Sequence, residues 1–312
     1  MQKNINLNLT FTTDMKLLPH SKLNFLLILT FALFSLITLS CRKEKQVEIK
    51  DLKFPVYTYY VPKGNEILLS IQSGNQKYSV KAEDQSLIET TVKNTDWPAG
   101  SIYVKGVKNG STQFTVKDEV SGQQALLNIH VVDPFFVMKV TDLIPGVLGS
   151  PLSNVKLVRE KLKAEPKYNS DFFSNGEIVV LRRNADQQFL VFRNEEDLEK
   201  GVIYKSGNYN LDLTGNSSSK LAFTFDDSNK TIEFLIHPET TSYSILLDFS
   251  KNKLAGPAQF NPQNPYPYVY LAKDFTKEFQ VTDPDLERVE LSQGMSTYPY
   301  FLPMKIAEGI LK

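Results

Sequence analysis

Ser101-Ile102-Tyr103-Val104-Lys105-Gly106, followed by Asn109-Gly110 and Gln113-Phe114-Thr115-Val116-Lys117-Asp118, decides the fold of the first half of the chain. Apolar and polar residues alternate in both runs. Ile102 falls on one face with Val104, and Phe114 with Val116, the period of a half-buried strand. Asn109-Gly110 tolerates positive φ and predicts a hairpin. Downstream, Ser121-Gly122 turns the chain into Ala125–Val132. Upstream, Val56–Val61, Glu66–Ile71 and Tyr78–Ala82 are strand-like, with the turn clusters Pro62-Lys63-Gly64-Asn65 and Gly74-Asn75 between them. Turn signals every ~8–12 residues indicate an all-β sandwich over residues 47–133.

The strand at Ile102–Gly106, the Asn109-Gly110-Ser111-Thr112 turn, the Phe114–Asp118 strand and the closing Ile129-His130-Val131-Val132 together resemble bacterial Ig-like domains of the invasin/intimin type. The antibody-type Cys pair is missing. The resemblance implies a spacer or adhesion role rather than catalysis. Trp97-Pro98 reads as a partly buried loop aromatic, and His130 as a boundary residue of the last strand.

Asp133-Pro134 marks a change of segment, and residues 134–312 read as a larger, mostly β domain with one or two short helices. Ser153 is a candidate N-cap for a helix over 154–163, where Val155, Val158 and Leu162 recur at helical spacing before Pro166. Asn194–Gly201 predicts a single capped turn. Glu177–Leu181, Gln188–Phe192, Leu221–Phe225, Thr231–Ile236 and Ser242–Phe249 read as strands. Asn184–Gln187 and Asp226–Lys230 read as hairpin turns. The Pro-rich stretch from Gly256 to Tyr270 reads as a loop or sheet edge, because proline cannot donate to a ladder. The fold class expected is therefore mainly β: an Ig-like sandwich, then this second domain.

The amino terminus reads as an address. Leu23–Leu39 is an uncharged run of 17 residues, preceded by Lys16 and Lys22 and followed by Ser40-Cys41 and a polar stretch. That is the form of a secretory signal over residues 1–40, with the translation start expected at Met15. The run is also near the lower length for a membrane-spanning helix, which stays open as an alternative. Thr38-Leu39-Ser40-Cys41 resembles the lipobox of Bacteroidetes-type envelope lipoproteins. Ser40 fits the small residue before the Cys; Leu39 and Thr38 depart from the strict pattern. The resemblance implies that Cys41 is acylated, as by palmitate, and anchors the chain to the outer membrane through a tether over 41–46. Either the periplasmic or the surface face is compatible with the mixed charges of Arg42–Lys45.

The chain has 312 residues, with 35 Lys+Arg against 35 Asp+Glu and a single Cys. Zero formal charge argues against a nucleic-acid partner, since phosphate binding draws on basic surplus. Residues 1–40 hold Lys3, Lys16 and Lys22 against Asp14, leaving 32 basic and 34 acidic side chains beyond them, a net of −2. A lone Cys allows no intrachain disulfide, so stability rests on packing.

Catalytic motifs are missing: there is no G-x-S-x-G elbow, no phosphate-cradling loop and no H-E-x-x-H. The expectation is a non-enzyme with a binding or scaffold role and no cofactor. Asp226-Asp227 and Asp283/Asp285/Glu287 are weighed as paired carboxylates or as oxygen ligands for Ca²⁺. They more simply form solvated turns. Tyr266, Tyr268, Tyr270, Tyr298 and Tyr300 are the candidate ligand-binding residues, with Phe301 beside them. Pro-stiffened aromatic rings stack on sugar faces or peptides. Alternate positions of a strand there would instead pack into the core. The expected partners are a membrane, through the lipid anchor, and a glycan or protein. The competing functional reading is a glycan-binding or glycan-hydrolysing lipoprotein.

Overall fold

Alternation in most of the first seven strands leaves those with one apolar face, and two sheets close on each other through such faces. A computed structural model describes residues 48–95, 98–214, 219–251, 268–297, 306–307 and 309–311. One sheet has the order β1 (Thr58–Pro62), β7 (Gln124–Val132), β6 (Gly110–Asp118), β3 (Tyr78–Ala82). The other has β2 (Glu66–Ser70), β5 (Ser101–Gly106), β4 (Ile88–Lys93). β1 runs parallel to β7, and every other pair is antiparallel. This is the immunoglobulin-type division of strands between two sheets. Leu69, Ile102, Phe114, Leu127 and Ile129 are fully buried between them.

Two turns behave differently. Ser121-Gly122 does close the β6–β7 hairpin, and its stiffness comes from Asp118. That buried carboxylate accepts from the Val120 and Ser121 amides and from the backbone and side chain of Asn75. Burial alone would push its carboxyl up; these hydrogen bonds outweigh burial and hold it below the ordinary value. Asn109-Gly110, by contrast, makes no hairpin. It joins β5 to β6, which lie in opposite sheets. Its Asn109 side chain instead donates to Asp133 at 2.8 Å.

From Phe135 onward eight antiparallel strands follow one another around a closed barrel. They are β8 (Phe135–Gly149), β9 (Ile178–Arg182), β10 (Gln188–Phe192), β11 (Lys205–Asp212), β12 (Lys220–Phe225), β13 (Thr231–Leu235), β14 (Tyr268–Asp274) and β15 (Leu286–Thr297). β15 returns to pair with β8 and closes the ring. Phe189, Phe223, Phe234, Met138, Leu181 and Leu271 fill the interior, and on β12 and β13 the outward positions include Lys220, Thr224, Thr231 and Glu233. A membrane-spanning barrel has the opposite polarity. Gly207 of β11 is required by this filling: a Cβ there would lie 2.7 Å from the Phe189 ring and 2.0 Å from the Thr224 carbonyl oxygen.

Among the described residues there are five helical segments, more than expected. Helix α1 (Leu152–Ala164) covers the expected span and buries Val155, Val158 and Leu162. Its N-cap position is Pro151 rather than Ser153, which lies inside the helix. The short α2 (Pro166–Asn169) follows it. α3 (Glu195–Lys200) is the expected capped turn, with Asn194 accepting from the Asp197 amide and Gly201 left-handed at its end. α4 (Thr241–Ser250) corrects the strand expected over Ser242–Phe249. Its buried residues are Ser242, Leu246 and Phe249, a helical spacing, and they stop one barrel rim. α5 (Thr276–Gln280) packs with α1 on the part of the β8–β15 ribbon that extends past β9. Among the described strands β8 has no second neighbour there, which is how it accommodates Pro145.

The outer face of β8, β9 and β10 is buried as well. Phe135, Val137, Ile178, Val180, Leu190 and Phe192 pack with Tyr60 and Val132 of the sandwich and with Ile310 and Leu311 from the chain's end. Asp133-Pro134 lies in this seam, where the Arg183 amide donates to the Pro134 carbonyl at 2.7 Å. Among the described strands, none before Val132 pairs with any after Phe135.

The other rim is closed by Phe172 and Phe173, which pack against the barrel core. Gln293, only 1% exposed, holds that loop. Its side chain accepts from the Phe173 amide at 2.9 Å and donates to the Phe173 carbonyl at 2.7 Å. Gln293→Leu keeps most of the volume and leaves both backbone groups buried without a partner. A loss of about 2–4 kcal/mol is expected. It will be read as a lower urea midpoint at unchanged slope; an unmoved midpoint would show that the clasp contributes nothing.

Candidate functional site

The register of β8 against β15 slips at two points, between Leu286 and Arg288 and between Gln293 and Met295, and the second shapes the site. Leu143 faces Gln293 and Val140 faces Met295, so Thr141 and Asp142 together oppose the single residue Gly294. This is a β-bulge, a device that redirects side chains. Thr141 donates its hydroxyl to the Gly294 carbonyl at 2.8 Å. Thr141 and Asp142 of β8 line one part of an open cleft of about 610 Å³, and Asn169, Ser170, Phe172, Ser174 and Asn175, from the segment before β9, line another. Asp142 accepts from the Asn175 side chain at 2.8 Å, which ties the two parts together. The cleft lies at the rim opposite the one where β8 enters the barrel from the sandwich.

The loop forming the second part is fixed from three directions. Gln293 holds the Phe173 backbone, Lys230 of the β12–β13 turn reaches one oxygen of Asp171, and Lys273 of β14 reaches the other. These two ammonium groups hydrogen-bond Asp171 and keep its carboxyl below the ordinary range, Lys230 having the larger effect.

Of the five tyrosines expected to bind a ligand, Tyr268 and Tyr270 lie on β14 with side chains 37% and 41% exposed. Val269 and Leu271 between and after them are fully buried. The core-packing alternative therefore does not hold for this pair. Their rings are near parallel, at 19° and 6.0 Å between centroids. Both border Gly294: a Cβ there would meet Thr141 Oγ1 at 2.6 Å, the Tyr270 ring at 3.5 Å and the Tyr268 ring at 3.8 Å. Tyr266, Tyr298, Tyr300, Phe301, Trp97 and Cys41 lie outside the described residues.

The acidic candidates are not brought together. Asp226 and Asp227 sit exposed in the β12–β13 turn, where Asp226 accepts from Ser206 at 2.6 Å. Asp283 accepts from Asn154 at 2.8 Å, while Asp285 is exposed just before β15 and Glu287 is exposed at its second residue. Among the described residues no three of His, Cys, Asp and Glu gather as they would around a metal ion, so the Ca²⁺ reading gains no site. Nor do the described residues include a helix long and apolar enough to cross a membrane. His130 has its expected boundary place: Ser111 Oγ lies 2.7 Å from its Nδ1, and its ring packs on Tyr60. His237 pairs with Glu290 at 3.2 Å, a contact between distant segments. Thr141, Asp142, Gly294, Asp171 and Gln293 were beyond sequence reasoning. Gly294 interrupting a strand was the one available signal of a bulge.

No protein-family profile matches the chain, and no curated protein does. Solved structures offer distant likenesses. Domains 4 and 5 of the S-layer protein SbsC align at 18% identity over 27% of this chain and 45% of that one, with a TM-score of 0.23. SbsC domains 5–6 align at 13% identity over 62% of this chain and 99% of that one, TM-score 0.24. The D00-D0 domain of intimin aligns at 12% identity over 72% and 91%, TM-score 0.21. The chain thus spans less than half of the first of these. At such TM-scores the architecture rests on the strand registers themselves.

Asp171 makes a pH-dependent contribution with a defined sign. Its folded-state pKa is depressed, so its stabilisation is complete above the unfolded value of about 3.9 and is lost as pH falls through the lower folded value. Comparing wild type with Asp171→Asn, the gap in melting temperature should be constant above about pH 5 and shrink below about pH 4. A gap that does not depend on pH would show that the two lysines do not act through the ionised carboxylate.

Proposed function

We propose that the chain is a lipid-anchored cell-envelope protein, held by Cys41, in which the Ig-like sandwich is a non-catalytic spacer and the barrel is the binding element it presents. The observation that carries this reading is where the chain enters and leaves the sandwich. The tether side docks at the β6–β7 turn: the Leu52 amide donates to the Gln123 side chain at 2.7 Å, and the Gln123 amide nitrogen donates to Asp51 at 2.9 Å. The chain leaves at Val132, after the nine residues of β7. At ~3.3 Å per residue that separates the two points by about 30 Å. The cleft then lies at the barrel rim away from the point of entry. The apolar run Leu23–Leu39 ending at Cys41 supports the anchor, and acyl chains contribute roughly 0.8 kcal/mol per buried methylene. The filled interior supports a presenting role, because it puts recognition on the outside of the barrel.

Cys41→Ala is expected to move the protein from the membrane fraction to the soluble one, or to leave an unprocessed precursor. Normal processing with unchanged membrane partition would overturn the anchor. The spacer is tested with the full chain in vesicles carrying a lipid-borne quencher. A dye at Asn75, on the tether side, should be quenched strongly and one at Asn175 weakly. Equal quenching would overturn the stand-off arrangement.

A further inference from the structure

We propose that the bulged rim binds a neutral saccharide chain, which lies against the Tyr268–Tyr270 pair and reaches into the cleft beyond Thr141. This rests on the barrel being the presented binding element and adds the class of ligand. The two parts of the site are continuous. Thr141 lines the cleft and bonds Gly294, and Gly294 is bordered by both tyrosine rings.

The lining chemistry selects among ligands. The rings are exposed and near parallel, two residues apart on one face of β14, so they offer adjacent aromatic surface on the outside of the barrel. The C–H face of a pyranose is apolar enough to stack on such rings, while its rim of hydroxyl groups demands donors and acceptors. Asp142, Asn169, Ser170, Ser174 and Asn175 supply both kinds in the cleft. An apolar ligand would leave these groups desolvated without partners, at a cost that disfavours it. An anionic ligand finds no field to attract it, since one Lys163 is matched by one Asp142 along the walls. The cleft volume of about 610 Å³ falls within the ~300–1,000 Å³ of small-ligand sites. Gly294 leaves the space between Thr141 and Tyr270 free of a side chain, since a Cβ there would lie 2.6 Å from the Thr141 hydroxyl and 3.5 Å from the Tyr270 ring.

The test is native affinity electrophoresis of the detergent-solubilised full chain through gels cast with soluble starch, mixed-linkage β-glucan, xylan or α-mannan. At least one polysaccharide should retard the wild type. Tyr268→Ala/Tyr270→Ala should weaken that retardation by about tenfold or more, as expected for loss of two stacking rings. Asp142→Ala should weaken it about threefold or more through the cleft end. Melting temperatures of the variants identify any that fail to fold, and Asp142→Ala then decides. Mobility unchanged in all four gels, or retardation that survives both variants, overturns the proposal. The vesicle measurement separates the two readings: quenching as expected with no retardation removes the saccharide alone, and retardation with equal quenching removes the spacer alone.

Discussion

An eight-stranded barrel encloses a space about as wide as the side chains that line it, and here that space is filled. Every other feature of the second half follows from this. Phe189, Phe223 and Phe234 meet edge to face in the interior, and a Cβ at Gly207 would run into the Phe189 ring. Both rims must then be stopped, or the phenylalanines at the ends would face water. Leu246 and Phe249 from α4 stop one, and burying each such side chain contributes about 1.5–3 kcal/mol. Phe172 and Phe173 stop the other, but they arrive on a loop with backbone polar groups that need partners. Gln293 supplies them from inside the wall.

The same accounting explains how the barrel is joined to the sandwich. Strands covered on both faces carry near-continuous apolar runs, and β9 and β10 do so over Ile178–Leu181 and Phe189–Phe192, with Arg182 and Gln188 at the ends where they meet. One face looks into the barrel; the other looks toward Tyr60, Val132 and the Ile310-Leu311 end of the chain. The Tyr60 hydroxyl lies 3.4 Å from the Ile306 and Ala307 carbonyls, so the last residues fasten to both parts at once. A chain crossing from one part to the other at Asp133-Pro134 has little freedom there, with both residues held by hydrogen bonds to opposite sides.

Much of this was legible in the sequence, and the failures are physical. The strands of the sandwich and of the β12–β13 hairpin stand out because one face of each meets water and period two survives. Residues 242–249 carry apolar side chains at Tyr243, Ile245, Leu247 and Phe249, an alternation that reads as strand. The rim selects Ser242, Leu246 and Phe249 instead, and tertiary burial overrides the local pattern. Asn109-Gly110 has hairpin chemistry, yet its flanking strands find partners in different sheets. Closure of the barrel pairs Met138 with Thr297, a contact that no local pattern encodes. The site fails for the same reason. Tyr268 and Tyr270 were visible as types, whereas Thr141, Gly294 and Gln293 acquire meaning only once β8 and β15 are side by side.

The position of the bulge gives the cleft its rigidity. Loops usually carry recognition residues at the expense of order, but here one wall is a strand and the other is a loop fixed at Asp171, at Phe173 and at Asn175. Lys273 serves two of these ends: it reaches Asp171 and also lies over the Phe172 and Phe234 rings, coupling the loop to the aromatic core. The filled barrel is therefore the support of the cleft. Packing fixes the phenylalanines, the phenylalanines fix the loop, and the loop holds Ser174 and Asn175 in the cleft, with Asn175 bonded to Asp142, before any ligand arrives, which lowers the ordering cost of binding.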